Sequence, residues 1–204
     1  SFAKLISDHK LSIFTKDDLS AGRLKASAFD CQMPLGSICQ YGFLDPDCYA
    51  PRTPILIADH LITSQLRNQY ITTSSLAKRL VGISWRGGGR GARIKEKSID
   101  VALFGQFMLK HPDIRFVDLQ YGNTADQIKS WRDQGIDIIH DPQINPLKDM
   151  DRWLSQVQAC DAVVSVANTT IHGAGGLNIP TQCLLSRHSD WRWLIDPSVM
   201  RSYW

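Results

Sequence analysis

From residue 79 onward, short apolar runs alternate with stretches whose apolar positions recur at helical spacing. The run 80–84, Leu-Val-Gly-Ile-Ser, reads as a buried strand, and a glycine-rich loop follows over 85–93. Ser98 stands where a helix to about residue 110 needs its cap, with Val101, Phe104, Phe107 and Met108 on one face and Pro112 as terminator. The pattern predicts a second strand over 114–119, a helix over 124–134 closed by Gly135, and a third strand over 136–139. It then predicts a helix over 149–159, a strand over 162–166, a helix over 170–177 and a strand over 181–185. Strands separated by helices call for right-handed crossovers, and so for an α/β domain with a doubly wound parallel sheet.

The first 78 residues carry weaker periodicity. Residues 1–14 suggest a helix and strand remnant, and 31–54, rich in Gly, Pro and Asp, reads as loop. Apolar residues at 57, 61, 62 and 66 give 55–70 a modest helical pattern. The expected organisation is therefore the end of one domain plus a connector over 1–78, then a complete domain over 79–204. Beginning at Ser1 and stopping at Trp204, the chain reads as a piece of a longer protein. Trp191, Trp193, Tyr203 and Trp204 are then expected to pack against the remainder.

Ligands of doubly wound sheets bind at the carboxyl ends of the strands. Here those ends carry Ser84-Trp-Arg-Gly-Gly88, Gln120-Tyr-Gly-Asn123, His140-Asp141, Ala167-Asn-Thr-Thr-Ile-His172 and Ser186-Arg-His188, nearly all polar. Gly87, Gly88, Gly89 and Gly91 have the composition of a phosphate cradle lined by backbone amides, with Arg and Lys beside it. The same residues equally describe a surface loop of solvated charges, and a lone Arg-Gly-Gly is a weak signal for RNA. No Gly-Lys-Ser/Thr follows, and the Gly-x-Gly-x-x-Gly spacing with its ribose-binding acid is missing, which excludes a P-loop and a dinucleotide-binding dehydrogenase. His172, beside Asn168, Thr169 and Thr170 at a helix start, is placed either to meet a diphosphate or sugar hydroxyl or to cap the helix against a structural partner. Gly173, Gly175 and Gly176 clear that helix for a neighbouring element or a ligand. Tyr121 suits stacking on a base or covering the sheet edge. His60, His111, His140 and His188 show no metal-ligand spacing, and no nucleophile elbow appears.

Composition narrows the class further. A chain of 204 residues with 43% hydrophobic and 21% charged content is ordinary for a globular protein, and a net charge of +3 gives no argument for nucleic acid. The charge is concentrated, however, in Arg79, Arg86, Arg90, Arg93, Lys95 and Lys97. Five cysteines without a CxxC pair fit a reduced, cytoplasmic chain, and no run reaches the length of a membrane span.

Five segments in order carry a resemblance: Val81-Gly-Ile-Ser-Trp-Arg-Gly-Gly88, Lys97-Ser-Ile99, Phe116-Val-Asp-Leu-Gln-Tyr-Gly122, Cys160 through Pro180, and Asp190-Trp-Arg-Trp193. Together they resemble the C-terminal domain of glycosyltransferases attached to tetratricopeptide repeats, relatives of the lipopolysaccharide heptosyltransferases. A fainter likeness extends over 28–60. The resemblance implies a GT-B architecture, two Rossmann-like domains of which the second holds a nucleotide-sugar donor. It implies that Ser84, Arg86, Gly87 and Gly88 line the donor diphosphate, and that Arg93, Lys95 or Lys97 steadies the leaving nucleotide. Gln120 and Tyr121 would lie near the base, and Asn168, Thr169, Thr170, His172 and Gly173 near the phosphates and sugar. Where heptosyltransferases carry Asp before the small polar pair this chain has Ala167, as repeat-linked relatives often have a small residue.

The expectation is thus the donor-binding part of a metal-independent, inverting glycosyltransferase, with Lys97 and His172 as catalytic residues and no cofactor. Its partners would be a nucleotide-sugar and an acceptor glycan, lipid or protein, with tetratricopeptide repeats in the longer chain and no nucleic acid. The alternative is a degenerate nucleotide-binding or protein-interaction module that performs no transfer.

Overall fold

The computed structural model describes residues 12, 14–31, 33–34, 53–72, 79–89, 92–187 and 193. Most of the 1–14 and 31–54 expectations, and Trp191, Tyr203 and Trp204, lie outside the described residues. Strands β1 (Arg79–Ser84), β2 (Ile114–Asp118), β3 (Ile138–Ile139), β4 (Ala162–Val166) and β5 (Thr181–Leu184) form one sheet in the order β3-β2-β1-β4-β5. Every pairing is parallel. The helices are α1 (Lys16–Ser20), α2 (His60–Thr72), α3 (Ala92–Glu96), α4 (Val101–Leu109), α5 (Ala125–Asp133), α6 (Met150–Gln158) and α7 (Thr169–Gly176).

Alternation along the strands sorts the core into two layers, as a two-sided sheet requires. Val81, Ile83 and Phe116 face Phe104 and Met108 of α4 and Ile128 and Trp131 of α5. Leu80, Val117, Leu119 and Val163 face the opposite layer, made by α2, α6 and α7. Helices α4 and α5 cover one face and α2, α6 and α7 the other, so the fold is doubly wound and Rossmann-like. The strand order reverses between β1 and β4, so the connections after them leave on opposite faces, and the space between their carboxyl ends is the crevice of the switch point. None of the described helices is long and apolar enough to cross a membrane.

Several local expectations change. Ser98 does not cap α4; Asp100 does, its carboxylate accepting from the amides of Ala102 and Leu103. Asp100 outcompetes Ser98 because it lies immediately before the apolar run and brings a negative charge to the helix start. The glycine loop ends sooner than its composition suggests, since 92–96 forms α3. The third strand pairs only at Ile138–Ile139.

The segment expected as a connector is built into the domain. The amides of Ile55 and Leu56 donate to the Gly176 carbonyl at the end of α7, and Leu66 and Tyr70 of α2 lie in the core. Arg67 reaches from α2 to the Ala159 carbonyl and to Asp161, each at 2.7 Å. The other Asp161 oxygen accepts from the Leu80 amide of β1. Arg115 binds the Tyr70 carbonyl and Asp137, while the Tyr70 hydroxyl donates to Asp141 and accepts from Gln156. Burial, then the Asp141 charge, pushes the Tyr70 hydroxyl well above its ordinary pKa.

Two glycines of α7 allow close packing. A Cβ on Gly173 would stand 2.9 Å from two ring atoms of Trp153 on α6, and one on Gly176 would stand 2.7 Å from Leu56. Gly173→Ala is therefore expected to lower stability by about 1–3 kcal/mol, because the buried Trp153 ring has no free volume into which to retreat. Urea unfolding of the two proteins checks this, and an unchanged midpoint would contradict the packing.

Candidate functional site

The crevice between β1 and β4 is built on the Gln120 side chain. Gln120 follows β2, is 6% exposed, and its Oε1 accepts from the Ser84 hydroxyl at 2.9 Å and from the Trp85 and Arg86 amides at 3.2 and 2.8 Å. From the β4 side, Asn168 Nδ2 donates to Ser84 Oγ at 2.7 Å and to the Arg86 carbonyl at 3.1 Å. Asn168 Oδ1 accepts from the Thr170 amide, which caps α7, and from Ser165 Oγ. One polar network therefore joins the ends of β1, β2 and β4 to the first turn of α7.

The glycine loop is held from two directions. The Arg86 guanidinium donates to the Tyr121 carbonyl at 2.9 Å, and Gly122, with φ at 86°, leaves room for it. The Gly87 amide donates to Ser98 Oγ, which in turn donates to the Ile94 carbonyl in α3. A Cβ on Gly87 would meet Lys97 Cβ at 2.4 Å and the Lys97 carbonyl at 2.7 Å. Gly87 is thus a glycine because the chain after α3 folds back across it, which brings the backbone of Lys97 onto the loop while its side chain stays exposed. Lys95 is exposed on α3; the side chain of Arg93 lies outside the described part.

The expected site residues separate into two groups. Ser84, Gln120, Asn168 and Thr170 converge, but they spend polar groups on one another, and the amides of Trp85, Arg86 and Gly87 are taken by Gln120 and Ser98. Gly173 faces inward against Trp153, away from the crevice mouth. Arg86, Gly88, Lys97, Tyr121 and Thr169 keep surface at or beside the loop and the α7 start. Tyr121 Oη is 3.4 Å from where a Gly88 Cβ would stand, which sets these two residues side by side. His172 is exposed on α7, and its ring stacks on Trp193 with centroids 5.9 Å apart. Trp193 is itself buried and packs beside this ring.

A second polar centre lies at the same sheet edge, joining His140, expected at a strand end, to Asp118 and Thr124. The Asp118 side chain is 1% exposed; its Oδ1 accepts from the Gln120 amide and its Oδ2 from Thr124 Oγ1 at 2.6 Å. His140, directly after β3, places Nδ1 2.9 Å from the same Oδ2, while its ring remains 33% exposed. The hydrogen bond to Asp118 raises the His140 pKa above its ordinary value, against the opposing effects of burial and Arg132. These residues lie 22 positions apart and share no motif, so the only sequence signal was that β2 and β3 both end in polar residues. Cys160 and Cys183 offer no nucleophile, since burial pushes their thiols up to about 12 and about 11. No three His, Cys, Asp or Glu side chains converge in a metal-binding group among the described residues.

Comparison with family models, with curated proteins and with solved structures finds no match for this chain.

Two outcomes follow from this geometry. Gln120→Leu leaves a hydroxyl and two amides without their acceptor and is expected to cost at least about 2 kcal/mol, whereas Gln120→Glu, which keeps an acceptor, is expected to cost less. Urea titration of both variants checks the difference. Because the folded-state pKa of His140 is raised, its charge-dependent stabilisation is fully present below the unfolded value of about 6.5 and is lost as pH rises through the folded value. Unfolding free energy is thus expected to decline across that window, with a flatter profile in His140→Gln.

Proposed function

We propose that this domain is the donor-binding part of a metal-independent, inverting glycosyltransferase, which receives a nucleotide-sugar at the crevice between β1 and β4. The observation that carries the reading is the convergence, at this one switch point, of the glycine loop, Lys97 and the capped start of α7. A diphosphate seated there would meet the positive end of α7, the exposed Thr169, and the cationic side chains of Arg86 and Lys97. Tyr121, beside Gly88, would offer its ring to the base.

In the transfer, the acceptor hydroxyl oxygen attacks the anomeric carbon as the bond from that carbon to the phosphate oxygen breaks. The electron pair leaves on the nucleoside diphosphate, whose growing charge Lys97 and Arg86 would neutralise. The proton of the acceptor goes to a base outside this domain, so this part alone binds donor without transferring it. His172 would act on the sugar side, with Trp193 fixing its ring.

A second reading, a nucleotide-binding or interaction module without transfer, draws on a specific observation. The loop amides that a phosphate cradle would use at Trp85, Arg86 and Gly87 are engaged internally, and Ala167 supplies no carboxylate.

Calorimetric titration with UDP, GDP, ADP and CMP tests the first reading. One nucleotide is expected to bind with a dissociation constant of about micromolar to low millimolar, and Lys97→Ala is expected to weaken it about tenfold or more, as loss of a charge-assisted contact does. Binding of none by the folded protein would leave the second reading; binding unchanged by Lys97→Ala would remove Lys97 from the site.

A further inference from the structure

The partly exposed histidine at the β3 end and the glycine loop at the β1 end are linked by hydrogen bonds through Asp118 and Gln120. It passes from His140 Nδ1 to Asp118 Oδ2, through that carboxylate from Oδ1 to the Gln120 amide, and from Gln120 Oε1 to the Trp85 and Arg86 amides. The middle of this path, Asp118 and Gln120, is buried, where a weakened bond costs most. We propose that His140 is a positioning residue for the glycine loop, its protonation state setting, through Asp118 and Gln120, how the loop amides at Trp85 and Arg86 are held.

Thr124 shares the carboxylate oxygen with His140. Its hydroxyl donates to Asp118 Oδ2 and also lies 3.4 Å from His140 Nδ1. With His140 protonated, Nδ1 is a charged donor to Asp118, and Thr124 completes the carboxylate. The carboxylate can only accept, so the neutral imidazole keeps its proton on Nδ1 and the bond to Asp118 persists without its charge. That bond is then weaker, and Asp118 is held more by Thr124 and by the Gln120 amide, which relaxes the residue holding the loop. The charged and titratable groups around His140 are Asp118 from β2, Arg132 from α5 and Asp141 from its own turn, and the raised pKa agrees with the net effect of the two carboxylates. Asp141 is in turn bound by Tyr70 of α2.

The coupling stands on the hydrogen-bond geometry alone; its consequence for ligand affinity rests on the donor-site reading. Amide spectra of the full chain, recorded from about pH 5 to about pH 9 across the histidine range, test it. The Gln120, Trp85 and Arg86 amides are expected to shift with the same midpoint as the His140 ring, and to stay still in His140→Gln. Thr124→Val, which removes the second donor to Asp118 but keeps the charge pair, is expected to displace the ring and amide midpoints together. Loop amides that ignore the ring titration, that titrate equally in His140→Gln, or whose midpoint parts from the ring's in Thr124→Val would overturn the proposal. UDP affinity is expected to fall about fivefold as His140 loses its proton, the lower end of coupling between linked sites. No UDP binding at any pH would count against the donor-site reading alone, since the amide titrations decide the coupling.

Discussion

A parallel sheet leaves its carboxyl edge with carbonyls and amides that no ladder satisfies, and the problem is greatest where neighbouring connections run to opposite faces. Here one side-chain oxygen resolves it. Gln120 Oε1 collects the Ser84 hydroxyl and the amides of Trp85 and Arg86, and Ser84 passes the connection to Asn168 across the crevice. The cap of α7, the exit of the glycine loop and the ends of three strands are therefore fixed by one carboxamide at the centre of the edge. An apolar residue of the same volume at position 120 fills the space but orphans three donors, and the penalty for buried unpaired donors exceeds the modest net gain of making the bonds.

The same economy explains the glycines. In the sequence, the Gly-rich loop and the Gly173-Ala-Gly-Gly176 helix suggest clearance for a ligand. In the fold, Gly87 clears the backbone of Lys97, Gly173 clears Trp153, and Gly176 clears Leu56 while its carbonyl accepts two amides. In these two segments, Gly88 and Gly175 instead stand where an added Cβ would meet ordinary contact or open space. A glycine signals close approach without naming what approaches, and here it is mostly the protein itself.

Legibility followed the range of the forces involved. β1 and β4 were readable because a strand buried on both faces needs a near-continuous apolar run, and α6 because Trp153, Leu154 and Val157 form a stripe. The Asp100 cap was available in the sequence and was missed for Ser98, whose hydroxyl serves the loop instead. The role of α2 was hidden, because Arg67 and Tyr70 join the domain through hydrogen bonds to Asp161, Asp141 and Gln156, partners far along the chain. Asp118, Thr124 and His140 were illegible for the same reason: each is unremarkable locally, and β2–β3 pairing alone makes them one group. Of the site residues, the strand-end positions were legible as a set, but not which of them would satisfy one another.

That division bears on how any anion could be held at this edge. Backbone amides bind phosphate strongly because they are oriented before the ligand arrives, yet those of Trp85, Arg86 and Gly87 already have acceptors. Recruiting them means breaking buried bonds, which cancels most of the gain. What remains is the α7 start, whose Thr170 amide is also taken, and side-chain cations that are half-exposed or exposed. Attraction of this kind is screened by salt and depends on where long side chains settle. The hydrogen-bonded parts of the edge thus set the position of the crevice, while the parts left to attract an anion are cations on long side chains; a complementary surface over the crevice would exclude water from them and strengthen that attraction.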